Sequence, residues 1–284
     1  MAAQFSSLCR PDDQKSCFAC CPPIRPSRYD HADFKTTLRR QLWDNTISLR
    51  ESAPKEKIIT GYSCWGLGFL DQRGIQAGCL LHPAQNQGRD LRDLTGYGDK
   101  CRRELCREAV VFSELSAHLG AFVLNLSAGL DCFDYSSRKR NPVFTLLNWG
   151  SIIIEHVSRA EPGGLTRKTF HEKYAFLEKE LDPHRDAFAL ELMLGRLSLE
   201  TLRRPEFLIQ YKETLARFKS RHERTMSAPV NNQPYVHQLD LPPPFIRFLR
   251  HGLGWSRALP SRAETVKSEF EGVIKRFMDE QRNI

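Results

Sequence analysis

The sequence predicts a mainly α-helical protein in which an irregular, cysteine-rich, metal-binding region is packed on a helical scaffold. Seven of the nine cysteines fall between positions 17 and 106. Glycines at 61, 66, 68, 74 and 78 break that stretch into short apolar pieces, which read as tight turns and short strands rather than long regular elements. After position 101 apolar residues recur at helical spacing almost to the end, as expected of helices that share a core. The natural division is a cysteine-rich region over 1–107 and a helical region over 108–284.

A chain of 284 residues is long enough for one large core or two smaller ones. With 40% hydrophobic and 27% charged residues it has the balance of a globular protein. Its apolar runs, such as 121–126 and 151–154, are broken within a few positions, so no membrane span is expected. No basic start leads into an apolar segment, so no secretory signal is read and a cytoplasmic location, with reduced thiols, is expected. An odd number of cysteines also argues against a pure disulfide scaffold. The net charge of +8 and the pI near 9.1 would assist contact with nucleic acid or an anionic partner. Only Arg138-Lys-Arg140 forms a compact basic cluster, so a protein partner is possible and nucleic acid lacks a motif.

Residues 1–16 read as an irregular lead-in, with Cys9 a bystander thiol or an auxiliary ligand. Cys21-Pro-Pro-Ile-Arg-Pro26 is barred from a continuous helix, because proline lacks the amide donor and extends the residue before it. Asp30 or Asp33 provides an N-terminal cap for a helix carrying Phe34, Leu38, Leu42 and Trp43 to about residue 50. A polar loop over 85–98 leads to Cys101, and 99–130 reads as one or two helices. A further helix is expected over 142–157. Another should carry Phe170, Tyr174, Leu177 and Leu181, and another Leu190, Leu194 and Leu197. Pro205 suits the first turn of a helix burying Phe207, Tyr211, Leu215 and Phe218. Residues 231–244 read as extended and proline-rich, and Ser261-Arg-Ala-Glu264 has the form of a capping box for a final helix with Val266, Phe270, Val273 and Phe277. Cys132 stands outside the cluster and is expected to be a buried thiol.

The cysteines are patterned as Cys17-Phe-Ala-Cys20-Cys21, single Cys64 and Cys79, and Cys101-Arg-Arg-Glu-Leu-Cys106. Two cysteines separated by two residues can present both thiolates to one metal ion or cluster. In this region the chain resembles the YkgJ-type family, described as a zinc- or iron-chelating domain. The resemblance rests on Cys17-x-x-Cys20-Cys21 with Ile24, Cys64 before Phe69-Leu70, Gly78-Cys79-Leu-Leu-His-Pro83, and Cys101-Arg102 with Cys106. It covers residues 16–107 and implies metal chelation at Cys17, Cys20, Cys21, Cys64, Cys79, Cys101 and Cys106. Here Gly78 abuts Cys79, His82 stands where the family places Tyr, and the 85–98 loop lengthens the gap to Cys101. Some members are tied to lysine methylation of flagellin, but no S-adenosylmethionine-binding glycine loop follows a strand here, so that activity is not carried over.

Seven cysteines exceed the four needed for one tetrahedral ion. Cys79 and His82, three apart, match a Cys-x-x-His ligand pair, and His82 would bring the candidate ligands to the eight that two four-ligand sites need. Thiolate-rich ligation fits zinc or an iron-sulfur cluster. Two functional classes follow: a metal-binding protein with a structural or partner-interaction role, and an iron-sulfur redox or metal-dependent enzyme. Other catalytic patterns are weak. Glu155-His156 lacks the second histidine of a zincin, and the 61–68 glycines lack the Lys-Ser/Thr of a phosphate loop. Cys17-x-x-Cys20 is also a redox-dithiol spacing, but the β-α-β flanks of that motif are missing and the other cysteines favour ligation.

Overall fold

The computed structural model describes residues 7–12, 15–21, 29–60, 63–103, 105–223 and 233–282. The proline run expected to hold the first cysteines, Gly61, and the start of the expected 231–244 segment lie outside them. The chain divides into two compact units, Met1–Leu147 and Asn148–Ile284. Among the described residues no single helix is long and apolar enough to cross a membrane.

In the first unit Asp30 caps a short 3-10 turn, its Oδ1 accepting from the Ala32 N–H at 3.0 Å, and this turn runs directly into helix α1, Lys35–Glu51. The face of α1 bearing Leu38 and Leu42 is buried with Phe18, Cys64, Leu67, Phe69, Ala77, Cys132 and Phe133. Against it lies a two-stranded antiparallel sheet of β1, Leu67–Phe69, and β2, Ala77–Cys79, with Leu67 opposite Cys79. Three-residue strands are too short to hold themselves together, and α1 supplies the missing bonds. Thr46, wholly buried, donates to the Leu42 carbonyl and accepts from the Phe69 N–H, both at 2.7 Å. Asn45 donates to the carbonyls of Leu67 at 2.8 Å and Cys64 at 3.2 Å. A Cβ at Gly68 would run into Thr46 and Leu80, so glycine is required where β1 meets α1.

Beyond β2 the chain forms α2, Gly98–Arg103, α3, Arg107–Glu114, α4, Ala117–Leu124, and the single turn α5, Cys132–Tyr135. Residues 132–141 are the hub of the unit. Tyr135 Oη donates to the Leu8 carbonyl at 3.2 Å, and Ser136 Oγ accepts from the Phe18 N–H at 2.9 Å. Ser137 Oγ donates to Asp30 Oδ2 at 2.9 Å, and buried Asn141 donates to the Tyr135 carbonyl at 2.8 Å. Part of the 1–16 segment, read from sequence as an irregular lead-in, is thus fixed at Leu8 and Ser16, and the following turn at Phe18, by bonds to side chains more than 100 positions later.

Helix α6, Pro142–Trp149, and α7, Ser151–Ala160, replace the one helix expected over 142–157. Gly150, at φ 96°, takes a conformation that only glycine adopts at little cost and breaks the run. In the second unit the helix expected around Phe170 and Leu181 is also two, α8, Arg167–Lys173, and α9, Ala175–Lys179. Tyr174 leaves helical geometry between them while its hydroxyl donates to Glu161 Oε1 at 3.0 Å. Helix α10, Pro183–Leu194, is the centre of the unit, with Ala187 to Leu190, Met193 and Leu194 buried. The short α11, Leu199–Leu202, leads to α12, Pro205–Glu223, in which Phe207, Tyr211, Leu215 and Phe218 are all buried as their spacing predicts.

Pro242-Pro-Pro244 does not continue as an extended strap but opens α13, Pro243–Arg247, because proline suits a first turn whose amides are unbonded anyway. A π turn, Phe248–Gly252, follows; a Cβ at Gly252 would sit 2.7 Å from the Phe248 ring. Helix α14, Pro260–Arg282, begins one residue before the predicted capping box, on Pro260. Phe270 of α14 packs on Phe248 at 4.3 Å with the rings tilted and meets Phe218 at 5.0 Å, while Phe188 of α10 packs on Phe245 at 5.0 Å.

The mainly α character therefore stands. The cysteine-rich metal-binding region named with it does not, because the cysteine-bearing segments are ordered by helix packing, a small sheet and side-chain bonds to the 132–141 hub.

Candidate functional site

The cysteines of the first unit fall into two neighbourhoods. In one, Cys17 lies just before, and Cys20 within, a turn closed by the Cys21 N–H donating to the Phe18 carbonyl at 2.9 Å. Cys106 is the N-cap residue of α3, so it and Cys101, in α2, belong to different helices. Cys106 and Cys20 are neighbours, close enough that each shifts the titration of the other. Cys9 and Cys17 are neighbours in the same sense. Cys21, half-buried, packs against the apolar core.

Within each pair one thiol is lowered and the other raised. The neighbouring Cys106 thiol holds the Cys20 thiol below its ordinary pKa, against the opposing effect of burial, and nearby Arg138 adds to the lowering. Cys106 is pushed far up by the neighbouring Cys20, by burial and by the Glu108 carboxylate. Glu108 is 2% exposed and pairs with Arg138 at 3.4 Å. Cys9 is lowered by the neighbouring Cys17, and Cys17 is raised well above the usual range by Cys9 and by burial.

In the second neighbourhood Cys64 is buried in the apolar core and accepts from the Gly66 N–H at 3.4 Å. Burial pushes its thiol up to about 11. Cys79, at the end of β2, is raised mainly by burial and also by Cys101. Cys101 sits in α2, its carbonyl accepting from Arg92 Nη1 at 3.3 Å. His82 is exposed, and its Nδ1 accepts from the Ala84 N–H at 3.1 Å, capping a 3-10 turn. Burial and Arg92 both lower its pKa, so the neutral ring is favoured.

Among the described residues, no group of three or more His, Cys, Asp or Glu side chains is placed to hold a metal ion. No family model, curated protein or solved structure matches this chain. The likeness to the YkgJ-type chelating family is therefore not upheld. The zinc or iron-sulfur cofactor expected on Cys17, Cys20, Cys21, Cys64, Cys79, Cys101, Cys106 and His82 is corrected with it, as is the reading of the chain as a structural or enzymatic zinc or iron-sulfur protein. The physical reason lies in how the donors are used. Cys20 neighbours Cys106 and Cys9 neighbours Cys17, the Cys64 thiol is embedded in apolar side chains, and His82 turns a ring nitrogen to its own backbone.

The spacing signal therefore misled. Cys17-x-x-Cys20 suggested one two-thiol unit, whereas the fold gives each of these cysteines a different partner, Cys9 and Cys106. Cys9 was read as a bystander thiol or an auxiliary ligand, and Arg138 only as part of a basic cluster. The residues that create the pairs, Tyr135 and Ser136, carry no local signal at all. Each member of the basic cluster faces a carboxylate of its own unit: Arg138 faces Glu108, Lys139 faces Asp33 at 3.0 Å, and Arg140 faces Asp134 at 3.2 Å.

In the second unit an open cleft lined by Glu172, Lys173, Phe176, Glu200, Arg203 and Arg204 carries both signs of charge. Lys173 is paired with Glu161 at 2.9 Å and Arg203 with Glu200 at 3.2 Å. Glu155 pairs with Arg159 on α7, which leaves no zincin-like arrangement there. Neither place selects a ligand.

The thiolate assignment has a direct consequence. Iodoacetamide alkylation of Cys20, followed by peptide mass spectrometry across pH, should show a midpoint below that of an ordinary thiol, because only the thiolate reacts. Cys106→Ala removes the neighbouring thiol, so the midpoint should move up. An unchanged midpoint would show that Cys106 does not stabilise the Cys20 thiolate.

Proposed function

We propose that the first unit is a thiol redox module in which Cys20 and Cys106 interconvert between dithiol and disulfide. The observation that carries this reading is the closeness of the two thiols, one on the 18–21 turn and one at the start of α3, each of which shifts the titration of the other. A disulfide requires Cβ···Cβ distances of about 3.5–4.5 Å, which neighbouring thiols reach by a small approach.

Cys20 is the attacking group and Cys106 the resolving one. The Cys20 thiolate attacks one sulfur of a substrate disulfide, which leaves as a thiolate, giving a mixed disulfide on Cys20. Cys106 then loses its proton and attacks the Cys20 sulfur, expelling the second substrate thiolate. The substrate disulfide is reduced to two thiols and the protein dithiol is oxidised to a disulfide. Exchange is fastest when the attacking thiol is ionised near ambient pH, which is the condition that neighbouring Cys106 and Arg138 favour at Cys20. The partner implied is a disulfide-bearing molecule, with a protein disulfide as one such substrate.

The test is a trapping experiment. The Cys106→Ser variant, treated with glutathione disulfide, should retain glutathione on Cys20, seen as a mass increase on the 16–28 tryptic peptide. The unaltered chain should show that adduct only transiently before the intramolecular disulfide forms. Equal persistence of the adduct in both proteins would remove Cys106 as the resolving thiol.

A further inference from the structure

We infer that the groove between α12 and α14 in the second unit is a docking surface for an acidic amphipathic helix of a protein partner. This surface is independent of the thiol chemistry of the first unit.

The two helices run antiparallel. Phe207, near the start of α12, lies 5.1 Å from Phe277, and Phe218, near its end, lies 5.0 Å from Phe270. Between their outer ridges is a recess of about 170 Å³, lined by Thr214, Arg217 and Arg221 of α12 and by Val273, Arg276 and Glu280 of α14. Phe218 and Phe277, 2% and 3% exposed, close its base. Sites for drug-sized ligands and cofactors run to about 300–1,000 Å³. The recess therefore suits side chains laid along it from another surface.

Charge selects the occupant. Arg159, Arg196 and Arg203 of the same unit each face a carboxylate. Among the described residues, Arg217, Arg221 and Arg276 have no carboxylate within ion-pair distance, and all three are exposed. Arg217 Nη2 instead donates to Thr214 Oγ1 at 3.2 Å, which holds its guanidinium at the groove. The sequence that follows α12, 224–232, contains no acidic residue and so brings no counter-charge. Arg217 and Arg221 are one turn apart, about 6 Å along the axis, which is the separation of carboxylates at i and i+4 on a second helix. Guanidinium groups bind carboxylates through paired donors, so these positions suit Glu or Asp side chains.

The backbone of α14 is also open to close approach. Gly272, one turn before Arg276, lies in the interior of a 23-residue helix, where glycine costs stability relative to alanine. A Cβ there would meet only Arg276 Nη1, at an ordinary 3.6 Å. Packing within the unit does not require the glycine, and its bare surface lets a second backbone come near. A nucleic-acid strand fits less well, because a continuous row of phosphates would have to pass Glu280 in the same groove.

The test titrates the full chain into a fluorescein-labelled amphipathic peptide of about 20 residues, long enough for several helical turns, with leucine along one face and glutamate flanking it. Fluorescence anisotropy at low salt reads binding. The same peptide with lysine in place of glutamate, and a duplex DNA, are the comparison probes. The acidic peptide should bind and the lysine peptide should not. Arg217→Glu combined with Arg276→Glu should weaken the acidic peptide at least about tenfold and admit the lysine peptide in its place. Arg276→Gln, a milder change at an exposed position, should weaken it by about threefold with an unaltered circular dichroism spectrum. No binding of the acidic peptide, or equal binding to all three proteins, would overturn the assignment. Tighter binding of DNA than of the acidic peptide, lost in the same variants, would overturn it in favour of nucleic acid.

Discussion

Cys20→Ser is expected to slow the reaction of the first unit with glutathione disulfide by about 100-fold at neutral pH. The remaining partner, Cys106, keeps two of the influences that hold it protonated, burial and the Glu108 carboxylate. Each unit by which a thiol's pKa exceeds the ambient pH costs about tenfold in thiolate, so Cys106 is a poor substitute for Cys20. Cys132→Ser is the matched control. Cys132 is 4% exposed and its thiol is pushed up to about 12 by burial, so its loss should leave the rate unchanged. Stopped-flow mixing with quantitative alkylation reads both. A Cys20→Ser rate within about threefold of the unaltered chain would mean that another thiol is the entry point.

Asp186→Ala is expected to destabilise the second unit by about 3–5 kcal/mol. Asp186 is 1% exposed and joins three parts of the unit. It accepts from both Nε and Nη2 of Arg185, at 2.9 and 2.8 Å, and from the buried Tyr211 hydroxyl at 2.9 Å. It also accepts from the N–H of Asp182, the N-cap of α10, at 2.7 Å. Alanine leaves the Tyr211 hydroxyl buried without its partner and opens the start of α10, and an orphaned buried polar group alone costs about 1–3 kcal/mol. Arg185 is 36% exposed, so water recovers part of its loss. Urea denaturation followed by far-ultraviolet circular dichroism measures the change. A shift of less than about 1 kcal/mol would show that the carboxylate does not organise α10.

Much of the helical architecture was legible because burial follows a short-range pattern. Phe207, Tyr211, Leu215 and Phe218 line α12 at the spacing of one helix face, and all four are buried. Asp30 caps the turn that leads into α1, as its position before Phe34 and Leu38 suggests. Breaks within helical patterns were harder to read. Gly150 and Tyr174 interrupt apolar runs that continue in register, and in each case the local backbone conformation decides the outcome.

The candidate site was less legible. Cysteine spacing suggested partners along the chain, but Cys17 and Cys20 pair with Cys9 and Cys106 through contacts set by Tyr135, Ser136 and the start of α3. Bonds spanning 118 and 127 positions leave no periodic trace. His82 shows the same gap from the other side. Three residues from Cys79 it has a ligand's spacing, yet the chain turns at Pro83 and the ring caps that turn.

The pairing of Cys20 with Cys106 is tested most directly by mapping the disulfide formed when the reduced, full-length protein is oxidised by one equivalent of glutathione disulfide and quenched early in acid. The predicted product is peptide 16–28 joined to 104–107, with fragmentation placing the bond on Cys20. A bond confined to peptide 16–28, or protein isolated with stoichiometric zinc or iron on these thiols, would contradict it.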